Sequence, residues 1–394
     1  MTTILAIETS CDETGVAVVE DGRRIRSNVV ASQAAHELTG GIVPEVAARE
    51  HLRALDPVAG EALRRAGLDL HGVDAVAATI GPGLIGALLV GASYARGLAL
   101  AAGRPFVGVN HLEGHVYANW LYEAAADGAG PGRGFGEGTP KTRPHKGPGD
   151  GGAAPGWPAA PPEPELPAVV LVVSGAHTDL VLMEDHRRFR LLGRTIDDAA
   201  GEAFDKVARL LGLGFPGGPY VERAARDGDA RAFALPKAEL PGRYDVSFSG
   251  LKTAVLRLVR SLEARSSQGA PPLIPSSSLI GMPQRGPSTP GYAWPWVPDV
   301  AASFQRTVNE MLAERVARAA AEFDVRTVML GGGVAANLPL REEISRRIAR
   351  PLRVPPPELC TDNGAMIGAA AFYAMRDRTE ASPGLVRSNM PLAG

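Results

Sequence analysis

Only two cysteines, Cys11 and Cys360, occur in 394 residues, each within a polar motif containing Gly or Asp. That is too few for the disulfide framework of a secreted domain. No unbroken apolar run reaches the ~18 residues that a membrane-spanning helix needs. The chain opens on a short apolar stretch, residues 4–7, without the basic start and long apolar core of a signal peptide. An excess of positive charge is missing too: the formal net charge of -2 excludes a uniformly basic nucleic-acid coat, although local basic patches stay possible. No GxxxxGKS or GxxxxGKT string occurs, which excludes a P-loop. A soluble, cytoplasmic protein without membrane attachment is the expectation.

What is present suffices for more than one core: the length and a hydrophobic content of 45% predict two or three domains. The opening ILAIETSCDETGVAVVED reads as strand, polar turn and strand, with Asp12 and Glu13 crowning the turn. Asp21-Gly22 makes a hairpin into a third strand near 25–31. Residues 46–66 have helical periodicity and a charged face carrying Arg49, Arg53, Arg64 and Arg65, and Gly67 fits the helix end. That face reads as solvated, with phosphate contact the alternative. A buried strand at 74–80 leads through GPGLIGALLVG into an apolar helix ending at Ala101, and a strand at 105–109 delivers the chain to His111.

From Leu166 the same order begins again. LPAVVLVVSGAHTDLVLM is strand, small-residue turn and strand, with a third strand at 189–192. Helices are expected at 199–211, 300–323 and 338–349, and a strand at 327–330 opens into GGGVAAN. The repeated start predicts two similar α/β lobes whose strand-end turns line the cleft between them. The boundaries read as a first lobe at 1–123, a Gly/Pro-rich insertion at 124–165, a second lobe at 166–375 and a tail at 376–394. The first insertion is expected to be disordered and is assigned no catalytic role. A Ser/Gly/Pro-rich insertion at 264–297 interrupts the second lobe, whose last helix is expected to pack on the first lobe. Tyr292, Trp294 and Trp296 near the end of that insertion read as packing on their own lobe, with base stacking or partner docking the alternatives.

One stretch, HLEGH, carries the strongest chemical signal. His111 and His115 stand four residues apart, so on a helix their imidazoles share one face and can share a metal ion. Two imidazoles leave a divalent ion under-coordinated, and Asp362 in CTDNGAM is the best candidate for a third ligand, drawn from the far end of the chain. Taken alone, the pair reads equally as a surface pair or a buried hydrogen-bonded pair. A zinc peptidase is not supported, because there a Glu follows the first His directly, whereas Leu112 stands here and Glu113 one place later. The turns at Gly83, Ser174, Gly175, Gly218, Gly332 and Gly333 allow backbone amides to approach a phosphate or carboxylate closely. Asp205 reads as an acceptor of ribose hydroxyls or as the helical ion-pair partner of Arg209. Asn337 sits at a helix start, where it would cap. SFSGLKT offers Ser249, Lys252 and Thr253 as donors and one cation.

The strings IETSCDETG, GPGLIGALLVG, HLEGH, DDAAGEAFDK, LLGL with PGGP, SFSGLKT, GGGVAAN and CTDNGAM occur together and in this order. In that respect the chain resembles the TsaD/Kae/Gcp family, the tRNA threonylcarbamoyladenosine transferases, over nearly its whole length outside the two insertions and the last residues. The resemblance implies an actin-like (ASKHA) fold of two RNase H-like lobes with a cleft between them. It implies transfer of a threonylcarbamoyl group from threonylcarbamoyl-AMP to the N6 amine of adenosine 37 in tRNAs reading codons that begin with A, with release of AMP. It assigns one divalent metal per subunit, Fe2+ first and Zn2+ second, to His111, His115 and Asp362. Substrate contacts fall to Val172, Val173, Ser174, Gly175, Ala176, Asp205, Gly218 and Asn337, with Glu222 a further ribose contact. The implied partners are tRNA, a smaller paralogue of the same fold (TsaB) and an ATPase (TsaE).

Two positions depart from the family pattern: Ala176 stands where the turn usually reads SGGH, and Leu338 replaces a frequent Arg. Asp12 or Glu13 reads either as acceptor of the amine proton or as a turn-capping acid pair. Two further classes stay open on the residues alone. An actin-like sugar kinase or ATPase would hold Mg2+ through acids and water rather than a His pair. A nucleotide-binding scaffold would keep the glycines without needing all three metal ligands.

Overall fold

In the computed structural model, residues 1–33, 42–123, 162–267, 292, 294–377 and 385–392 are described. The apolar segments TILAIE and ETGVAVVE form β1 (Thr3–Glu8) and β2 (Glu13–Glu20), paired antiparallel. Asp21 and Gly22 both take positive φ, the conformation that an Asp-Gly hairpin turn requires, and lead into β3 (Arg24–Ser32). Then α1 (Pro44–Ala66) starts with a proline in its first turn and stops at Gly67 in the left-handed region. The lobe continues with β4 (Ala75–Gly81), α2 (Ile85–Ala102), β5 (Phe106–Asn110), α3 (His111–Tyr117) and the short β6 (Tyr122–Glu123). Its sheet order is β5-β4-β1-β2-β3-β6, with β1, β4 and β5 parallel.

The second lobe repeats this plan. After β7 (Ala168–Val173), β8 (Thr178–Asp185) and β9 (Arg188–Arg194) come four helices, α4 (Ala200–Leu210), α5 (Gly217–Ala225), α6 (Ser249–Ser267) and α7 (Val297–Glu322). The chain ends with β10 (Thr327–Gly331), α8 (Leu338–Arg347), β11 (Leu352–Arg353), α9 (Pro357–Cys360) and α10 (Gly364–Arg376). The sheet order is β11-β10-β7-β8-β9, so β7 takes the place of β1, β10 that of β4 and β11 that of β5. Two such lobes make the actin-like fold of two RNase H-like units that the resemblance implies.

Because successive strand residues face opposite sides, each sheet feeds two cores. Leu5, Ile7, Val16 and Val18 meet Leu55 of α1 and Ala95 of α2 on the outer face of the first sheet. Ile4, Ala6, Ala17 and Val19 turn inward to Leu112 and Val116 of α3, Met366 and Ala370 of α10, and Val170, Val172 and Met329 of the second sheet. Val169, Leu171 and Val173 point outward under α4 to α8. Thus α3 and α10 lie between the two sheets, against each other. The histidine pair is thereby carried into the middle of the molecule.

Several sequence expectations need amendment. PGGP is not only a turn: Gly217 opens α5, and the SFSGLKT serine Ser249 opens α6. Lys252 of that motif is bound to Asp198, and Thr253 donates to the Ser249 carbonyl at 2.9 Å, so these groups are used within the lobe. The α1 arginines pair with Glu45, Glu50 and Glu61, as a solvated face does. Helix α2 reaches a mean hydropathy of 1.5 over 18 residues with 33% of it buried, but Arg96 interrupts its apolar run and it packs on β4 and α1. Trp294 and Trp296 stack on each other and pack against the core of their own lobe. The Tyr292 hydroxyl donates to Asp227 at 2.8 Å. The readings made for 124–161, 268–291 and 378–384 lie outside the described residues.

Candidate metal centre

The short helix α3 begins at His111 because Asn110 caps it, its side-chain oxygen accepting the Leu112 N–H at 2.8 Å. This puts His111 and His115 one turn apart, ring centroids 4.6 Å from each other, with His115 fully buried. Asp362 arrives at the start of α10, fixed by the buried Asn363, whose side-chain oxygen caps Met366 N–H at 3.0 Å. Asp362 Oδ1 lies 3.5 Å from His111 Nε2 and 3.3 Å from His115 Nε2. Candidate ligand atoms of all three residues lie within 4.8 Å of one another.

The donor set fits a divalent ion of borderline softness. Among the described residues neither buried ring nitrogen of His115 has a hydrogen-bond partner of good geometry, Nε2 having only Asp362 Oδ1 at 3.3 Å, an arrangement that costs about 1–3 kcal/mol for each unsatisfied group unless something coordinates it. Burial holds His115 below the usual histidine range, the neutral form that ligates metals. At His111 burial works against the charge, but Asp362 and Glu8 outweigh it and push the pKa up to about 9. Burial would raise Asp362, yet the two histidines bring it down to about 2. Two histidine side chains and one ionised carboxylate converge, and a bound ion would displace the proton that Asp362 and Glu8 favour on His111, leaving the remaining coordination positions to a ligand.

The other expected site residues fall into two groups. The first faces the histidines. Ser174 closes the turn after β7, its N–H donating to the His177 carbonyl at 2.8 Å, and Gly175 and Ala176 are exposed. Ala176 is not among the positive-φ residues, so its backbone does not demand the glycine of the family pattern. A Cβ on Gly332 would meet the Val173 carbonyl at 2.4 Å, which packs the GGG turn against this one. Asp12 and Glu13 sit where β2 begins, and burial, with Asp12 and Asp362 adding to it, holds the Glu13 carboxyl well above the usual range.

The second group gathers on the second lobe. Asp205 of α4 accepts the first N–H of α5, from Gly217, at 2.5 Å. Gly218 and Glu222 follow one turn apart on α5. Asn337 caps α8 by accepting the Leu340 N–H at 3.0 Å and donates to Glu222 at 3.0 Å and Gln305 at 2.9 Å. Leu338, in place of the family arginine, is exposed at the first position of α8.

Sequence reasoning missed Glu8 and Ser10 beside His111, Thr79 that donates to Glu8, and His177, whose pKa burial lowers to about 4 with His111 and His115 adding to the effect. Nothing local marks Glu8 as special; only the pairing of strands brings it to the histidine. His177 was legible in principle as the last residue of the SGAH turn.

The family model described as tRNA N6-adenosine threonylcarbamoyltransferase, TsaD, matches residues 24–131 and 154–369. A relative of that name from Thermomicrobium roseum is 47% identical over 99% of this chain and 96% of its own. Another from Symbiobacterium thermophilum is 48% identical, covering 95% of this chain and 92% of its own. Among solved structures, T. kodakarensis HypF superposes with a TM-score of 0.54 at 13% identity, covering 95% of this chain and 48% of that one, and shares the fold. By sequence, the chain belongs to the TsaD family of tRNA N6-adenosine threonylcarbamoyltransferases.

Proposed function

We propose that this transferase takes the threonylcarbamoyl group from threonylcarbamoyl-AMP and places it on adenosine 37 of tRNAs reading codons that begin with A, with a divalent metal, Fe2+ or else Zn2+, held by His111, His115 and Asp362. The observation that supports this reading most is the convergence of those three side chains, with His115 left unsatisfied, in a member of this family. When bound, the ion supplies a Lewis acid that polarises the carbamoyl carbonyl or offsets the adenylate charge.

The remaining work falls to the chain itself. Gly175 and Gly218 have open space where a Cβ would stand, which suits close approach of backbone to ligand. The turn 172–176 takes the carbamoyl-phosphate end, and Asp205 receives the ribose hydroxyls while its cap on α5 keeps it in position. Both amide hydrogens of Asn337 are donated to Glu222 and Gln305, so Asn337 acts on the ribose by orienting Glu222. As the adenine N6 attacks the carbamoyl carbon, the new C–N bond forms and the C–O bond to the phosphate breaks. AMP departs with that electron pair. The amine proton passes to Asp12 or Glu13; burial favours the protonated form of Glu13, so Glu13 accepts only once it has ionised. A poor nucleophile makes positioning and electrophile activation the main sources of rate.

A TsaB-like paralogue and a TsaE-like ATPase complete the cytoplasmic system in this reading. The test is a transfer assay with unmodified tRNA, threonylcarbamoyl-AMP and these partners, read by mass spectrometry of the digested tRNA. Threonylcarbamoyladenosine should form with the parent and disappear with His111→Ala. Product formation that survives in His111→Ala would remove the metal from the reaction. Product that survives alanine at both Asp12 and Glu13 would remove the proton-acceptor role.

A further inference from the structure

We infer that Glu8 is the positioning residue of this centre: a buried carboxylate that fixes the ring of His111 with Nδ1 protonated and Nε2 presented to the metal. The inference rests on the metal reading above and adds to it a group outside the three ligands.

The sheet explains how Glu8 comes to be there. β1, β4 and β5 are adjacent and parallel, so their carboxyl ends lie side by side. Glu8 ends β1, Thr79 stands near the end of β4, and His111 follows β5 directly. Glu8 is 0% exposed. Its Oε2 lies 3.1 Å from His111 Nδ1 and accepts the Thr79 hydroxyl at 2.5 Å, while Oε1 accepts the Ser10 N–H. The Ser10 hydroxyl also lies 3.1 Å from His111 Nδ1.

These contacts decide the tautomer. An ionised carboxylate only accepts hydrogen bonds, so the nitrogen facing it carries the hydrogen. The lone pair of the neutral imidazole is then on Nε2, the atom that faces Asp362. Among the described residues no Lys or Arg pairs with Glu8; His111 is its one ion-pair partner. A fully buried carboxylate is costly unless it is paired and hydrogen-bonded, and here His111, Thr79 and the Ser10 N–H supply those partners. A carboxylate behind a ligating histidine orients the ring and raises its basicity. His115 has no counterpart, since its Nδ1 is unpartnered among the described residues. Ring orientation at the centre therefore depends on His111, and through it on Glu8.

The test is Co2+ titration of the full chain, stripped of metal, followed by the visible absorption of the bound ion. Glu8→Gln keeps the shape but places an amide donor against either His111 or Ser10. Glu8→Asp keeps the charge but draws it back by one methylene. Each should weaken Co2+ binding about 10- to 100-fold and alter the absorption bands. Co2+ affinity within about twofold of the parent with unchanged bands, in a folded variant, would overturn the inference. Should Glu8→Gln not fold, Glu8→Asp decides. His115→Ala separates the two levels of argument. If it abolishes binding while both Glu8 variants bind like the parent, only the role of Glu8 falls. If the parent takes up no Co2+, or His115→Ala makes no difference, the metal reading falls and this inference with it.

Discussion

A Cβ added to Gly331 would stand 2.5 Å from the carbonyl oxygen of His115. The end of β10 and α3, the helix that carries both histidines, thus touch backbone to backbone, one element from each lobe. Gly331→Ala must push them apart, because backbone atoms have no rotamer into which to retreat. The expected cost is about 1–3 kcal/mol of stability, typical of an overpacked core. A loss of metal affinity should accompany it, since α3 carries two of the three ligands. Thermal melting and metal titration check both effects. A variant with the parent's melting temperature and metal uptake would mean that the contact yields freely.

Asp205 separates stability from activity. Burial raises its pKa, and only the Gly217 N–H and, more weakly, Arg209 oppose that. An acid whose folded pKa is raised binds its proton more tightly folded than unfolded, so its ionisation destabilises the fold as pH rises through that range. Asp205→Asn keeps an oxygen for the Gly217 N–H and removes the charge. It should melt at or above the parent temperature at neutral pH, and the gap should close as pH falls through the raised folded pKa to the ordinary carboxylate range. Transfer should drop about ten- to a hundredfold, the value of a lost charged hydrogen bond. A variant less stable than the parent at pH 7 but equally active would reverse the assignment.

How much of this was legible beforehand depended on whether the signal was local. The strands, α1 and α2 announce themselves by apolar pattern, by Asp21-Gly22 and by Gly67 at the end of α1. The His pair is legible because a single turn of helix makes it a pair. PGGP hid α5, because glycine and proline suggest a turn until Asp205, twelve residues earlier, supplies the cap that starts a helix there. SFSGLKT hid α6 similarly, since Asp197 accepts the Phe248 N–H at 2.9 Å from a distant segment. Glu8 looked like one more strand residue. Its role depends on β4 and β5 lying beside β1, which is a property of the sheet and not of any window of sequence.

The segment 385–392 holds the start of α3, the histidine-bearing helix, from beyond α10. Arg387 N–H donates to the Ile80 carbonyl at 2.8 Å, and Gly83 N–H to Ser388 at 3.2 Å. The Asn110 amide donates to Met390 and Pro391 while its oxygen caps α3, and Leu392 is 8% exposed in the inter-sheet core. Deleting residues 385–394 should therefore cost about 2–4 kcal/mol from one buried leucine and several hydrogen bonds, and should weaken metal binding through Asn110. Asn110→Ala, which loses cap and tail contacts together, should lower metal affinity in the same direction. Unchanged metal binding in both would limit the segment to a stabilising role.

Gly218 offers the most direct separation of ligand contact from folding. It is the second residue of α5, and among the described residues no atom lies within 4 Å of where its Cβ would be. Alanine there meets none of those residues and is a better helix former, so the melting temperature should hold or rise, by up to about 1 kcal/mol in stability. If the donor's ribose or phosphate lies against this backbone, the same methyl group occupies its place. KM for threonylcarbamoyl-AMP should then rise with little change in metal affinity, since Gly218 belongs to the second-lobe cluster and not to the histidine centre. A Gly218→Ala protein with the parent's KM would move the ligand away from α5, and would leave Asp205 and Glu222 to be explained as a cap and an ion pair. The outcome thus tests the whole second-lobe cluster with a substitution that the fold itself does not resist.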